Sequence, residues 1–150
     1  MAERFRAGID GGSRGNPGPA AWGVVVMDAS GRPVEGFAGA IGRATNNVAE
    51  YNALLEALAL ALAREADDVE LLADSELVVK QVRGEYKVRH PDLIPLHAEA
   101  KRIIAGLRRF KIGYVPRAKN KDADKMVNRA LDLVENGADG PGLKVHERFL

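Results

Sequence analysis

The chain has 150 residues and a formal net charge of +1, with 46% hydrophobic and 29% charged residues. These values are typical of one globular domain with a sizeable core. Cysteine is absent, which excludes disulfides, thiolate nucleophiles and zinc sites built on sulfur. Since the sequence has no apolar run of membrane-spanning length and no signal-peptide pattern, we expect a cytoplasmic protein without a membrane partner.

The first third of the chain has the alternation and the turn signals of β structure. The candidate strands are residues 5–10, 22–27 and 34–41, and turns rich in Gly, Pro and Asn or Asp separate them. Because both connections are short, we expect an antiparallel meander of three strands.

Helical and extended patterns alternate in the rest of the chain. Asn46 or Asn47 can cap a first helix that is rich in Ala and Leu. The predicted elements are a helix at 48–64, a strand at 69–73, helices at 75–82 and 92–109, a strand at 110–115 and a helix at 122–135. This order predicts an α/β fold with a five-stranded mixed sheet flanked by helices. We assign residues 1–136 to one domain and residues 137–150 to a C-terminal tail, which we expect to be flexible.

Four acidic residues lie at the ends of predicted elements, each in its own local pattern. They are Asp10 in GIDGGSRGNPGPAAWG, Glu50 in TNNVAEYNALLEAL, Asp74 in LLADSELVVKQV and Asp124 in NKDADKMVNRAL. Strand ends and helix N-termini meet at one edge of an open α/β sheet, where such folds place their sites. Four carboxylates gathered there would repel one another unless a cation neutralised them. Two ions such as Mg²⁺ can activate water and stabilise a leaving oxygen, so the pattern predicts metal-assisted hydrolysis of a phosphodiester.

Each acid also has an ordinary structural explanation when it is taken alone. Asp10 can hydrogen bond within its own turn, and Glu50 in a first helical turn favours the helix dipole. Asp74 can cap a helix, and either Asp122 or Asp124 can complement the dipole of the last helix. The joint occurrence of the four acids is therefore what favours a metal site.

Basic residues are concentrated in one segment although the net charge is small. Residues 101–125 contain nine Lys or Arg against two Asp. Such a cluster can follow a phosphate backbone, which indicates a polyanionic partner. A solvated helix face followed by a charged loop explains it equally well.

The four patterns together resemble those of the type 1 ribonuclease H family, and the resemblance covers nearly the whole chain. DGGSRGNPGPAAWG resembles the first hairpin of the family, and TNNVAEYNAL resembles its helix start. DSELVVKQV is similar to the third motif and NKDADKMVNRAL to the last, which selects Asp124 over Asp122. The resemblance implies a ribonuclease H-like fold in which Asp10, Glu50, Asp74 and Asp124 are the catalytic residues and the metal ligands.

The resemblance also implies a substrate and a cofactor. The substrate is an RNA–DNA hybrid duplex, whose RNA strand is cleaved with two Mg²⁺ or Mn²⁺ ions to give 3′-hydroxyl and 5′-phosphate ends. No small-molecule organic cofactor is implied, and we expect a monomer. The implied contacts are Gly11, Ser13 and Asn16 for the RNA strand, and Thr45, Asn46 and Asn47 for the DNA strand. A helix cap is the competing explanation for Asn46.

The chain departs from the family pattern in two places. The loop at 116–121 has no His, whereas well-known members carry one there. Our hypothesis is that Arg117 or Lys119 takes over part of the role of this His through a phosphate contact. Residues 83–91 are too few for the basic protrusion that some members carry. We therefore expect this chain to bind a hybrid more weakly than those members do, with a steep dependence on salt and with more of the affinity coming from the basic segment from Lys101 onward.

Other functions remain open on the sequence alone. The fold can serve as a non-catalytic hybrid-binding module, or as a nuclease acting on double-stranded RNA or on RNA–DNA junctions. Nucleotidyl transfer or junction resolution would share the metals but not the TNN and GNPG loops. A binding module gains nothing from a repulsive group of acids, which favours catalysis. Trp22 and Tyr51 border apolar runs, so we expect them to pack in the protein and not to stack on nucleic acid.

Overall fold

A computed structural model describes residues 3–137 and 140–149 of the chain as one mixed sheet covered by helices. The strands are β1 (Glu3–Ser13), β2 (Gly18–Met27), β3 (Pro33–Ala44), β4 (Ala66–Ala73), β5 (Arg109–Tyr114) and β6 (Lys144–Arg148). The helices are α1 (Asn46–Ala63), α2 (Glu76–Val82), α3 (Ile94–Ala105) and α4 (Lys121–Glu135). The strand order is β5-β4-β1-β2-β3-β6, with β4 parallel to β1 and to β5 and the other pairs antiparallel. The predicted α/β fold and its N-terminal antiparallel meander are confirmed.

The side chains of β2 alternate between two cores. Trp22, Val24 and Val26 belong to the larger core, which α1, α2 and α3 cover. Ala21 and Val25 belong to a smaller core on the opposite face, which α4 covers. This alternation follows from the two-residue period of a strand. The sheet is therefore buried on both faces, with its site at an edge between the two layers.

Helix α1 packs on the sheet through a row of small residues. Ala49, Ala53, Ala57 and Ala61 recur every four residues, and all four are fully buried. Leu62 of the same helix lies outside this row and is 49% exposed. Trp22 and Tyr51 are buried, which confirms that they pack inside the protein. No helix within 3–137 and 140–149 is long and apolar enough to cross a bilayer.

Two helix boundaries differ from the prediction. Helix α1 is capped by Thr45, whose hydroxyl accepts a hydrogen bond from the Val48 amide at 3.2 Å, and not by Asn46 or Asn47. Helix α3 runs over Ile94–Ala105 and not over 92–109, because Gly106 ends it and the chain then enters β5.

The sheet has six strands and not the predicted five. Strand β6 pairs antiparallel with β3, although its sequence KVHER gives only a weak alternation. Tertiary contacts supply what the local pattern lacks. Val145 and Phe149 pack against the core under α4, and the ring of His146 stacks on Phe37 with centroids 4.5 Å apart.

Candidate active site

All four predicted acids line one cavity of about 420 Å³ at the edge of the sheet. Asp10 comes from β1 and Asp74 from the residue that follows β4. Glu50 and Asp124 lie near the starts of α1 and α4. Strand ends and helix N-termini thus meet as predicted, and we call this cavity the acid pocket.

The register of two parallel strands places Asp10 beside Asp74. Ile9 of β1 pairs with Ala73 of β4. The residues that follow them, Asp10 and Asp74, therefore lie side by side at the same end of the sheet. Asp74 does not cap α2, because the hydroxyl of Ser75 takes that role by accepting from the Val78 amide at 3.3 Å. The carboxylate of Asp74 is therefore left for the pocket.

Gly11 allows α1 to approach β1 closely enough to deliver Glu50. A Cβ at Gly11 would lie 2.3 Å from the backbone carbon of Ala49 and 2.4 Å from the backbone nitrogen of Glu50. No side chain fits in such a space, so the first turn of α1 rests directly on the strand. This packing explains why a glycine follows Asp10 and gives Gly11 a structural task beside its predicted contact to RNA.

Helix α4 resolves the choice between the two neighbouring aspartates by its orientation. Ala123 is buried against the sheet, and Asp124 lines the acid pocket. Asp122 lines a separate cavity of about 50 Å³. The geometry thus agrees with the motif, which selects Asp124.

Crowding of the acids raises the pKa of two of them. The pKa of Asp10 is raised to about 8, first by burial and then by the charges of Asp74, Asp124 and Glu50. Burial also raises the pKa of Glu50 to about 7; a hydrogen bond from Ser75 opposes this, the charge of Asp74 adds to it, and the charge of Arg117 lowers it. Such mutual repulsion is what a bound cation would remove.

The donor chemistry of the acid pocket fits a divalent cation. Carboxylate oxygens are the ligands that Mg²⁺ and Mn²⁺ prefer. The Oδ2 atom of Asp74 is buried without a hydrogen-bond partner among the described residues. As these side chains stand, no three His, Asp or Glu of 3–137 and 140–149 are posed together around an ion position. Asp10, Glu50, Asp74 and Asp124 would hold such a cation through their carboxylate oxygens, and its charge would offset their mutual repulsion.

A hydrogen-bond network joins the β1–β2 loop to the start of α1. The Oδ1 atom of Asn46 accepts from the backbone amide of Ser13 at 2.8 Å and from its hydroxyl at 3.1 Å. The backbone amide of Asn46 donates to Oδ1 of Asn16 at 3.1 Å. Three of the six predicted substrate contacts therefore form one network beside the acid pocket, and Asn46 is not the helix cap.

Arg14 lines the acid pocket, although no pattern in the sequence marks it as a site residue. Its guanidinium lies 2.7 Å from carboxylate oxygens of Asp132 and of Glu135 and donates to Oδ1 of Asn128 at 3.2 Å. All three partners belong to α4, more than a hundred positions away along the chain. Arg14 thus fastens the β1–β2 loop to the helix that carries Asp124.

A second groove of about 570 Å³ adjoins the acid pocket. Thr45, Asn46 and Asn47 from the start of α1 line it, and so do Lys87, Arg89 and His90 from the connection after α2. Asn46 and Glu50 line both the groove and the acid pocket. Thr45 and Asn47, which take no part in that network, are therefore gathered here with Asn46, in a groove that also holds basic residues to which the sequence assigned no substrate contact.

The two basic candidates of the loop at 116–121 face different cavities. Arg117 lines the acid pocket, where its charge lowers the pKa of Glu50. Lys119 lines the small cavity beside Gly8 and Asn120. Only Arg117 is positioned to meet a group bound between the acids.

Comparison with known proteins agrees with this fold. The model of the reverse transcriptase-like family matches residues 8–130. A bifunctional protein of Mycobacterium tuberculosis is 47% identical over 86% of this chain, which spans only 36% of that longer protein. The crystal structure of RNase H1 from Halobacterium salinarum has a TM-score of 0.82 at 46% identity, covering 87% of this chain and 98% of that one. The crystal structure of LC11-RNase H1 in complex with an RNA/DNA hybrid has a TM-score of 0.81 at 40% identity, covering 87% and 99%.

The fold and the site together define a ribonuclease H-like α/β domain. The chain belongs to the reverse transcriptase-like family, in its type 1 ribonuclease H branch, and the resemblance predicted from the four motifs is confirmed.

Proposed function

We propose that this protein is an endoribonuclease that hydrolyses the RNA strand of RNA–DNA hybrids. It would use two Mg²⁺ or Mn²⁺ ions and leave 3′-hydroxyl and 5′-phosphate ends. The observation that carries the proposal is the convergence of Asp10, Glu50, Asp74 and Asp124 on the acid pocket. Solved relatives named RNase H1, one of them in complex with an RNA/DNA hybrid, support it.

The four carboxylates would divide the cations between them. Cations bound here would lower the pKa of the attacking water and stabilise the leaving oxygen. Asp10 would be shared by both ion sites, because β1 lies centrally in the sheet between β4 and β2. Glu50 and Asp74 would hold the site nearer the leaving 3′-oxygen, and Asp124 would join Asp10 on the side of the attacking water.

Arg117 would act on the scissile phosphate as a charged hydrogen-bond donor and not as a proton carrier. It lines the acid pocket, and it stands in the loop where well-known family members carry a His. A guanidinium keeps its proton at neutral pH, so Arg117 cannot shuttle protons as an imidazole can. Its contribution would be to hold the phosphate and to balance negative charge.

Strand selection would come from the loop network beside the acids. Hydroxyl and amide groups that contact the 2′-hydroxyl allow a protein to distinguish RNA from DNA. Ser13, Asn16 and Asn46 hold one another at this place by hydrogen bonds of 2.8 to 3.1 Å. Thr45, Asn46 and Asn47, which line the second groove, would contact the DNA strand, so Asn46 would link the groups that recognise the two strands.

A substrate panel tests the proposed function. End-labelled RNA–DNA hybrid, double-stranded RNA, an RNA–DNA junction and DNA duplex are incubated with Mg²⁺, Mn²⁺ or EDTA, and the product ends are mapped. We expect cleavage of the RNA of the hybrid, with 5′-phosphate ends and only with a metal. Binding without cleavage would instead favour a hybrid-binding module. Faster cleavage of double-stranded RNA or of the junction would favour the alternative nuclease.

A further inference from the structure

The β1–β2 loop is anchored on both sides of the acid pocket. On the side of α1, Ser13 donates to Oδ1 of Asn46, and the Asn46 amide donates to Oδ1 of Asn16. On the side of α4, the guanidinium of Arg14 contacts three polar side chains of the helix. The groups that would recognise RNA therefore stand between two anchors, one on each of the helices that carry an acid.

The α4 anchor fixes the loop relative to Asp124. Nη2 of Arg14 donates to Oδ1 of Asn128 at 3.2 Å, and Nδ2 of Asn128 donates to the Asp124 carbonyl at 3.1 Å. The helix itself is firmly seated, because Ala123 and Val127 are buried in the smaller core. Since this core holds the helix, Arg14 keeps the loop at a set distance from Asp124.

The tip of the loop needs such a support. Residues 15–17 are exposed, and exposed loops are more mobile than the elements that they connect. The base of the loop is closed by the Arg14 amide, which donates to the Pro19 carbonyl at 2.9 Å. A site that distinguishes one hydroxyl group must hold its own groups to within roughly half an ångström. The side-chain contacts of Arg14 supply that restraint next to Ser13.

Arg14 is poorly placed to bind a phosphate itself. Its Nη atoms lie 2.7 Å from carboxylate oxygens of Asp132 and of Glu135, so two negative charges face its single positive one. A phosphate would have to displace these contacts and approach both carboxylates. The three side chains are also 31%, 61% and 55% exposed, and ion pairs so open to water contribute little to stability. What these contacts provide is a fixed geometry.

We propose that Arg14 is a positioning residue for the selection of the RNA strand. Its contacts to α4, which we call the Arg14 clamp, hold Ser13 and Asn16 where they meet the 2′-hydroxyls of the strand that is cut. The inference rests on the proposed function and adds a determinant of specificity to it. A guanidinium suits the task because its planar fork reaches two acceptors at once, whereas the ammonium group of Lys is a point charge.

The RNA preference of binding tests the Arg14 clamp. Two duplexes are compared, an RNA–DNA hybrid and the same hybrid with 2′-deoxy nucleotides in the RNA strand around the cut. Every protein carries Asp10→Asn, so that binding is measured without cleavage. The ratio of the two affinities is the RNA preference, and Arg14→Ala should lower it by roughly fivefold, about the value of one hydrogen bond. Arg14→Lys should recover part of this loss.

The ratio separates a clamp from a direct phosphate contact. Both duplexes carry the same phosphates, so a lost phosphate contact would weaken both equally and leave the ratio unchanged. Asp132→Asn/Glu135→Gln removes the acceptors instead of the guanidinium, and it should lower the ratio as Arg14→Ala does. Combining the three substitutions should lower the ratio no further, because these side chains act as one unit.

Arg102→Ala is the matched control. Arg102 makes an exposed ion pair with Glu99 on α3 and lines neither the acid pocket nor the second groove, so this variant should keep the parental ratio. The melting temperatures of all variants should stay near that of the parent. A parental ratio in Arg14→Ala or in the acceptor variant would overturn the inference while hybrid cleavage by the wild-type chain stands. No hybrid cleavage by the wild-type chain would overturn the proposed function, while the ratio would still decide the role of Arg14 in binding.

Discussion

The side-chain amide of Asn120 donates a hydrogen bond of 2.8 Å to the carbonyl of Ile9, the residue before Asp10. Asn120 is 6% exposed and also begins α4, where its own carbonyl accepts from the Asp124 amide at 3.2 Å. Its side chain makes no capping bond, because it is used across the sheet. One buried residue therefore joins the chain segments that carry two of the four acids.

Replacing Asn120 should disturb catalysis more than binding. Asn120→Ala leaves the Ile9 carbonyl without its partner, which we expect to cost about 1–3 kcal/mol of stability. Turnover of a hybrid should fall while hybrid affinity, measured in an Asp10→Asn background, changes little. Gly8→Ala is an independent probe, since its Cβ would lie 2.9 Å from Oδ1 of Asn120 and displace it. Parental turnover in both variants, with unchanged melting temperatures, would contradict this role.

Removing the charge of Asp10 should stabilise the metal-free protein at high pH. Its pKa in the fold is raised from 3.8 to about 8, so ionisation of Asp10 destabilises the folded state as the pH rises through that window. Asp10→Asn should therefore melt above the parent at pH 8 in EDTA and close to it near pH 4. Each kcal/mol of relief raises the melting temperature by roughly 2–4 °C in a chain of this size.

The surface residue Asp28 provides a control in which removal of the charge should lower the melting temperature instead of raising it. The pKa of Asp28 is lowered, first by its hydrogen bond from Ser30 and then by that from the Arg32 amide. The ionised carboxylate of Asp28 stabilises the fold at pH values above its pKa in the unfolded chain. This stabilisation is lost as the pH falls through its lower pKa in the folded protein. Asp28→Asn should therefore melt below the parent at neutral pH. If Asp10→Asn also melts below the parent at pH 8, Asp10 is a structural residue.

The two basic loop residues should differ in their effect on turnover. Arg117→Ala should lower the cleavage rate by about tenfold or more, the value of one charged hydrogen bond to phosphate. The cleavage rate of Lys119→Ala should stay within about twofold of the wild-type rate, because Lys119 lines a different cavity. Single-turnover rates on a labelled hybrid measure both. Equal losses in the two variants would show that the loop rearranges around the substrate.

Truncation after residue 136 should destabilise the protein without removing the acids. The deletion takes away β6 and the apolar side chains of Val145 and Phe149, which pack against the core under α4. Loss of this burial should cost roughly 2–4 kcal/mol, measured by urea unfolding. An unchanged unfolding midpoint would mean that residues 137–150 add nothing to stability, as expected of a flexible tail.

The sequence was sufficient to predict the fold class and the convergence of the four acids, because both depend on local patterns. Asp10, Glu50, Asp74 and Asp124 each lie near the end of a strand or in the first turns of a helix, in patterns that periodicity and turn residues mark. Their convergence then follows from the strand order of an open α/β sheet. The catalytic roles themselves remain predictions.

What the sequence could not supply depends on contacts between distant segments. Nothing near Arg14 indicates that its partners are Asp132 and Glu135 on α4. The groove position of Lys87 follows only from how the connection after α2 folds back beside α1. Strand β6 is likewise stabilised by packing that its five residues do not encode.

Hybrid cleavage by single variants of the four acids tests the central claim most directly. Asp10→Asn, Glu50→Gln, Asp74→Asn and Asp124→Asn are compared with the wild-type chain on one labelled RNA–DNA hybrid in Mn²⁺, alongside melting temperature and hybrid binding. We expect every variant to fold and bind the hybrid while its cleavage rate falls by roughly a hundredfold or more. A folded variant of any of the four that cuts the RNA strand at the wild-type rate would contradict the account.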